Sequence, residues 1–268
     1  MRESRHHSTT VPPMAIVFAY LILLGQAALL LCSDETAIWL GMEDGPIENI
    51  GALSFLLASV LFFMTAYRSS RLQGRSRANH FDNPLTLLLL GAFCFICFGE
   101  EISWGQRVFA YPVPDWLKDF NRQDEWNLHN LAWFHGQTAG GTEKSFWARL
   151  LVMDRLLAVF QLALCTLVPV LTGYSTVLRT WAARIGLPIV PWWIAGLVPF
   201  HIFTTQVLYA IMGENIIVGD ALDETKESMR AAIFLLVAIW AYRLTSTVSF
   251  VPRVLGLSDP SEEFKATP

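Results

Sequence analysis

Charge is what this 268-residue chain has least of. Asp, Glu, Lys and Arg make up 16% of it, against 53% hydrophobic residues. Whole stretches, such as Met14 to Leu31 and Leu85 to Gly99, carry no charge at all. That scarcity argues against a soluble domain and points to helices that cross hydrocarbon. Basic residues are not in excess: the formal net charge is −4, and no basic stripe with interleaved aromatics occurs. Nucleic acid is therefore not an expected partner. Cysteine is scarce too. Cys32, Cys94, Cys97 and Cys165 all lie in or beside apolar runs, which speaks against a disulfide framework and a thiolate metal site. Cys94 and Cys97, spaced CxxC within an apolar helix, read as small packing residues. HExxH, a phosphate-binding glycine loop and a nucleophilic serine motif are also missing. Ser54 and Ser103 are the nearest serine candidates.

What is present is a series of apolar runs, each near the ~20 residues a helix needs to cross ~30 Å of hydrocarbon. Six spans are predicted: Met14 to Leu31, Glu48 to Tyr67, Leu85 to Glu101, Leu150 to Tyr174, a fifth between Arg184 and Glu214, and Glu227 to Thr247. The first is longer than the ~7–15-residue core of a signal peptide, and no A-x-A cleavage site follows it. The expected fold class is all-α, a polytopic membrane helical bundle. Residues 1–13 form a cytoplasmic N-terminus, 14–247 the membrane domain, and 248–268 a polar cytoplasmic tail. Lys/Arg asymmetry sets the orientation. The loop between spans two and three holds Arg68, Arg71, Arg75 and Arg77, so both termini are expected inside and three loops outside. The loops Ser33 to Pro46 and Gly213 to Lys226 are short and acidic. The middle one, about 105–146, is long. It contains the helix breaker Tyr111-Pro112-Val113-Pro114 and two short helix candidates, Asp115 to Phe120 and Asp124 to His135. Trp104, Trp116, Trp126, Trp133 and Trp147 suit this loop to the headgroup layer.

Acidic residues collect at the outer ends of the spans. They are Glu43-Asp44…Glu48, Glu100-Glu101, Glu125…His129, Glu214, and Asp223-Glu224…Glu227. Carboxylates near hydrocarbon are costly, and convergence makes them a functional candidate. Glu48 leads into a helix with Gly51, Ala52 and Ser54, small residues that let helices approach and point Glu48 inward. Glu100 lies about 23 Å along its helix from Leu85, within the outer leaflet boundary. Glu100 and Glu101 sit ~100° apart on a helix, so one is free to bind or act as base while the other pairs with Arg107. Glu125 and His129 are spaced to share one helix face, suited to a single metal or to a histidine oriented by a carboxylate. Glu224 and Glu227 share a face in the same way, and Glu227 with Arg230 is alternatively an internal salt bridge. Asp223 or Thr225 is expected to cap the sixth helix. Asp154 and Arg155 read as buried counter-ions. His201, with Thr204 and Thr205 on the same face, lies mid-span as a ligand path or a hydrogen-bond network.

Carboxylates with one or two imidazoles match a divalent metal such as Zn, Mn, Fe or Ca. The candidate metal ligands are Glu48, Glu101, Glu125 and His129. The candidate catalytic residues are Glu100 as general base, Glu101, and Arg107 as the anchor of an anionic headgroup or intermediate. His201, Glu214, Glu224 and Glu227 are secondary candidates. The segments EDGxxE (Glu43–Glu48), GEEISWGQR (Gly99–Arg107) and NLHN (Asn127–Asn130) resemble signatures of uncharacterised bacterial multi-pass proteins, which implies a bacterial inner membrane. Glu100-Glu101…Arg107 is similar to the EE-xxx-R signature of CAAX-type intramembrane proteases, although the arginine falls two positions late and the later histidine motifs lack matching form. The acidic lead-in through Glu48 resembles that of alkaline ceramidases, whose paired C-terminal histidines are absent here. The leading expectation is a metal-dependent hydrolase acting on a lipid or membrane-embedded substrate. A proton- or cation-coupled transporter, and a structural subunit that binds an oligomer or complex partner, remain as alternatives.

Overall fold

The computed structural model describes residues 13–42, 44–71, 83–121, 125–134, 142, 144–149, 151–213 and 215–254, with backbone alone at 107, 146, 216 and 246–254. The described residues are mostly helical, with one isolated β-bridge between Asn121 and Leu131. In order the helices are α1 (Pro13–Ala28), α2 (Asp34–Gly41), α3 (Pro46–Arg71), α4 (Pro84–Glu101), and the single turns α5 (Gln106–Phe109), α6 (Asp115–Lys118) and α7 (Phe146–Arg149). There follow α8 (Met153–Leu162), α9 (Val168–Tyr174), α10 (Thr176–Ile185), α11 (Trp192–Met212) and α12 (Ile216–Val254). A π-helical turn, Ala163–Leu167, joins α8 to α9.

Six segments are long and apolar enough to cross a membrane: Pro13–Leu31, Asp34–Arg71, Pro84–Glu101, Met153–Tyr174, Trp192–Met212 and Ile217–Thr245. The chain is an integral membrane helical bundle, with the six spans that the uncharged runs predict. The polar connections differ from expectation. The connection expected as the first outer loop contains α2, begun by Ser33, whose side chain accepts from Thr36 N–H. The sixth helix starts at Ile216, so the expected third outer loop is mostly helix. Thr225 is no cap there; it donates to the Ala221 carbonyl within the helix. The same helix continues to Val254, past the expected end at Thr247. The remaining polar tail, 255–268, lies outside the described residues, as do Arg75, Arg77 and residues 1–12.

The centre of the bundle is α3, flanked by α4 and α12, which form its broadest interfaces. Phe55 and Phe62 of α3, Leu87 of α4 and Phe234 of α12 are almost wholly buried there. Small residues set the helix spacing. A Cβ on Gly51 would come within 2.8 Å of Ser228 Oγ, and one on Gly41 within 2.7 Å of the Ala221 backbone. Ser228 also donates to the Ile47 carbonyl. These contacts press the acidic end of α3 against α12, as the Gly51-Ala52…Ser54 pattern predicts. At the opposite, arginine-bearing end, Asn83 caps α4 by accepting from Leu85 N–H. Asn83 and Thr86 both donate to the Ile185 carbonyl and so tie the end of α10 to the start of α4.

The first helix is fastened differently. Gln26, the one amide in its apolar span, is fully buried. Its Nε2 donates to Thr205 Oγ1 at 2.8 Å and lies 3.4 Å from His201 Nδ1, while its Oε1 accepts from Thr204 Oγ1 at 3.0 Å. Few other α1 residues are buried. Gln26→Leu therefore removes the cross-helix bonds of Thr204 and Thr205 and leaves His201 Nδ1 unpaired, at about 1–3 kcal/mol. Detergent-titrated unfolding is expected to show that loss; an unchanged transition would refute the clamp.

Candidate functional site

The motif Gly99–Arg107 ends α4 and reverses the chain. Ser103, Trp104 and Gly105 have φ of 45°, 53° and 83° in succession, a left-handed run costly for the two non-glycine residues. The reversal folds Trp104 onto Gly99, where a Cβ would lie 2.8 Å from the indole ring. It also aims Glu100 at the loop. Glu100 Oε1 accepts from Trp104 Nε1 at 2.8 Å, and Oε2 accepts from the backbone N–H groups of Leu128 and His129. The His129 ring stands 3.6 Å from the same oxygen.

The NLHN segment completes the other half of this contact. Glu125 is buried, and its Oε2 accepts from Ser103 Oγ at 2.9 Å, from Asn130 Nδ2 at 3.2 Å and from Asn127 Nδ2. Gln106 Oε1 accepts from Trp126 N–H at 2.7 Å. Asn121 Nδ2 donates to the carbonyls of Glu125 and Asn127. Beneath, Val113, Leu117 and Leu131 form a small apolar core with Trp126 and Phe134. Two motifs more than twenty residues apart are thus interlocked, each supplying carboxylates to the other's donors.

This arrangement corrects the expected helix over Asp124 to His135. Residues 125–131 are turns and irregular chain, with only Ala132–Phe134 in a short 3-10 turn. Asn127 and Asn130 spend their side chains on local groups, which competes with helix formation. Glu125 and His129 consequently do not form a pair on one face; each has its own partner. Asp124 and His135 lie outside the described residues, as do Glu43, Glu214 and the side chain of Arg107.

Glu101 is the acid of the motif that the interlock does not use. Among the described residues it forms no hydrogen bond or ion pair. The charges that bear on it are Glu227, Glu224, Glu48 and Glu100, in decreasing order. Four partly exposed carboxylates from α3, α4 and α12 thus converge at one end of the bundle: Glu48, Glu101, Glu224 and Glu227. Glu48 also accepts from the Asp44 backbone N–H.

The nearby cations are committed elsewhere. Asp154, at the start of α8, pairs with Arg230 Nη1 and lies 3.4 Å from Lys226 Nζ. Lys226 also pairs with Asp223, which accepts from the Tyr209 hydroxyl. Asp154 thus pairs across the bundle and not with Arg155, whose exposed side chain donates to the Arg149 carbonyl at 3.1 Å. Arg230 likewise pairs with Asp154 and not with Glu227. Among the described residues no ion pair joins Glu101, Glu224 or Glu227 to a cation, and no three Asp, Glu, His or Cys side chains are placed to hold one metal ion.

His201 sits apart, on the buried face of α11 with Gln26, Thr204 and Thr205. Both threonines donate to its carbonyl, and its Nε2 has no hydrogen-bond partner among the described residues. The charges of Arg230, Lys226 and Asp154 bear on it.

The residues least visible in the sequence are neutral: Ser103, Asn127 and Asn130, which hold Glu125, and Gln26, which ties α1 to α11. Gln26 had a signal, an amide in an otherwise apolar span. No protein-family model, curated protein or solved structure matches this chain.

Proposed function

We propose that the acidic cluster is the working site of a membrane hydrolase that acts on a lipid or membrane-embedded substrate with a divalent cation. The observation behind this reading is Glu101. Every other described polar side chain of its motif is spent on holding the loop, whereas Glu101 faces the carboxylates of α3 and α12. Among the described residues Glu101, Glu224 and Glu227 have no ion pair with a cation, and carboxylates gathered near hydrocarbon in that state call for a counter-charge. Glu48, Glu101, Glu224 and Glu227 would draw together around a hard cation, which supplies Lewis-acid polarisation of the scissile group. Glu101 accepts the proton of the attacking water. The base role expected of Glu100 passes to its neighbour, because both Glu100 oxygens already accept hydrogen bonds.

The test pairs elemental analysis of the purified protein with mass spectrometry of a lipid extract incubated with it. We expect a bound divalent cation and turnover of one lipid class. Removing a general base costs typically 10²–10⁴-fold, so Glu101→Gln should lose turnover by at least about 100-fold while still inserting. Full turnover in that variant would overturn the assignment. A second reading, a cation-coupled transporter, draws on His201 Nε2, a polar atom left without a partner deep in a span. Ion flux in liposomes without lipid turnover, abolished by His201→Ala, would favour it.

A further inference from the structure

A groove of about 420 Å³ runs along the seam between α1 and α11. It falls within the roughly 300–1,000 Å³ of ligand sites. Ala15, Ala19 and Tyr20 form one wall, and Trp192, Trp193 and Gly196 the other. The two helices run side by side from the arginine-bearing end of the bundle. The groove reaches as far as Phe200 and closes at the next turn, where Gln26 meets His201, Thr204 and Thr205. Gly196 marks the open space: a Cβ there would meet nothing within 4 Å, whereas those on Gly41 and Gly51 would collide with α12.

Depth and chemistry select an occupant. Between Ala15 and Leu23 the helix rises about 12 Å, close to the ~15 Å of one leaflet in a ~30 Å hydrocarbon core. The walls are hydrocarbon and aromatic rings, with the Trp192 and Trp193 indoles at the end where a headgroup layer lies. Water has no partners in such a groove. Residues 1–12, Met-Arg-Glu-Ser-Arg-His-His-Ser-Thr-Thr-Val-Pro, contain no apolar run to fill it. We propose that the α1–α11 seam is a resident lipid site, holding one acyl chain of a phospholipid from the leaflet on the arginine-rich side. This site is separate from the acidic cluster, at the other end of the bundle.

The experiment measures phospholipid phosphate per chain after purification with extensive detergent washing, with native mass spectrometry to identify what remains bound. Wild-type protein is expected to keep about one phospholipid per chain. Gly196→Leu, which fills the groove, should lower that at least tenfold. Gly196→Ala should give an intermediate loss, and keeps the test decisive if the leucine variant fails to fold. Phe203→Leu, an exposed position farther along α11, should leave retention unchanged. Absence of lipid from the wild type, wild-type retention in Gly196→Leu or, should that variant fail to fold, wild-type retention in Gly196→Ala would overturn the proposal. So would a lipid-free wild-type dimer that Gly196→Leu converts to a monomer, since the seam would then belong to a second copy.

Discussion

Replacing Asp154 with alanine will destabilise the bundle by about 2–3 kcal/mol, below the ~3–5 kcal/mol of a fully buried pair because the Asp154 side chain is 29% exposed. Asp154 answers two cations of α12, Arg230 and Lys226, and the Arg230 side chain is only 6% exposed. Without the carboxylate, Arg230 keeps its charge beneath the bilayer surface with little water to solvate it. The loss should appear as a lower midpoint in detergent-titrated unfolding. The double variant Asp154→Ala with Arg230→Met should recover much of it, because the stranded charge goes with its partner. A single-variant loss under about 1 kcal/mol, the range of a surface pair, would show that this network does not hold α8 to α12.

Glu100→Ala should unfasten the outer loop without dissolving the bundle. Hydrogen bonds to a charged group are worth about 1.5–3 kcal/mol each, and Glu100 receives two from the backbone of Leu128 and His129. Amide exchange at those two positions is expected to speed by about 100-fold, since ~1.4 kcal/mol is tenfold. Glu101→Ala should leave both amides at their wild-type rate. Equal acceleration by the two variants would erase the division of labour between the neighbouring acids. Unchanged exchange in Glu100→Ala would show that the loop is held by its apolar core alone.

The spans were legible because each is a run of apolar residues whose length matches the hydrocarbon. The close approach of α3 to α12 was also legible, since Gly51, Ala52 and Ser54 mark a helix face made for it. The failures have a common cause. Adjacent residues on a helix point ~100° apart, so Asp154 and Arg155 cannot share a direction, and the true partner of Asp154 waited 76 positions away. The spacing of Glu125 and His129 suggested a helix face, yet Asn127 and Asn130 carry side chains that compete for the backbone. For Glu100 and Glu101, sequence alone offered two acids and no means of deciding which one would be consumed by structure. The deciding donors, the Leu128 and His129 amides, are invisible to any motif.

The long separations between partners bear on how such a chain enters a membrane. Glu100 meets its amides 28 residues later, Asp154 meets Arg230 after 76, and Gln26 meets Thr204 after 178. Synthesis runs from the N-terminus, so each early span must settle in the bilayer while its polar side chain is still unmatched. The first span, with one amide, is the most apolar of the six, and the last is the least. That last span carries Glu224, Lys226, Glu227 and Arg230, and by the time it emerges Asp154, which pairs with Lys226 and Arg230, has already been made. The two cations of the last helix thus meet a partner of a kind that the earlier helices lacked. A nascent chain halted before Arg230 would hold Asp154 without its arginine, so the final helix is the one that completes the polar pairing of the bundle.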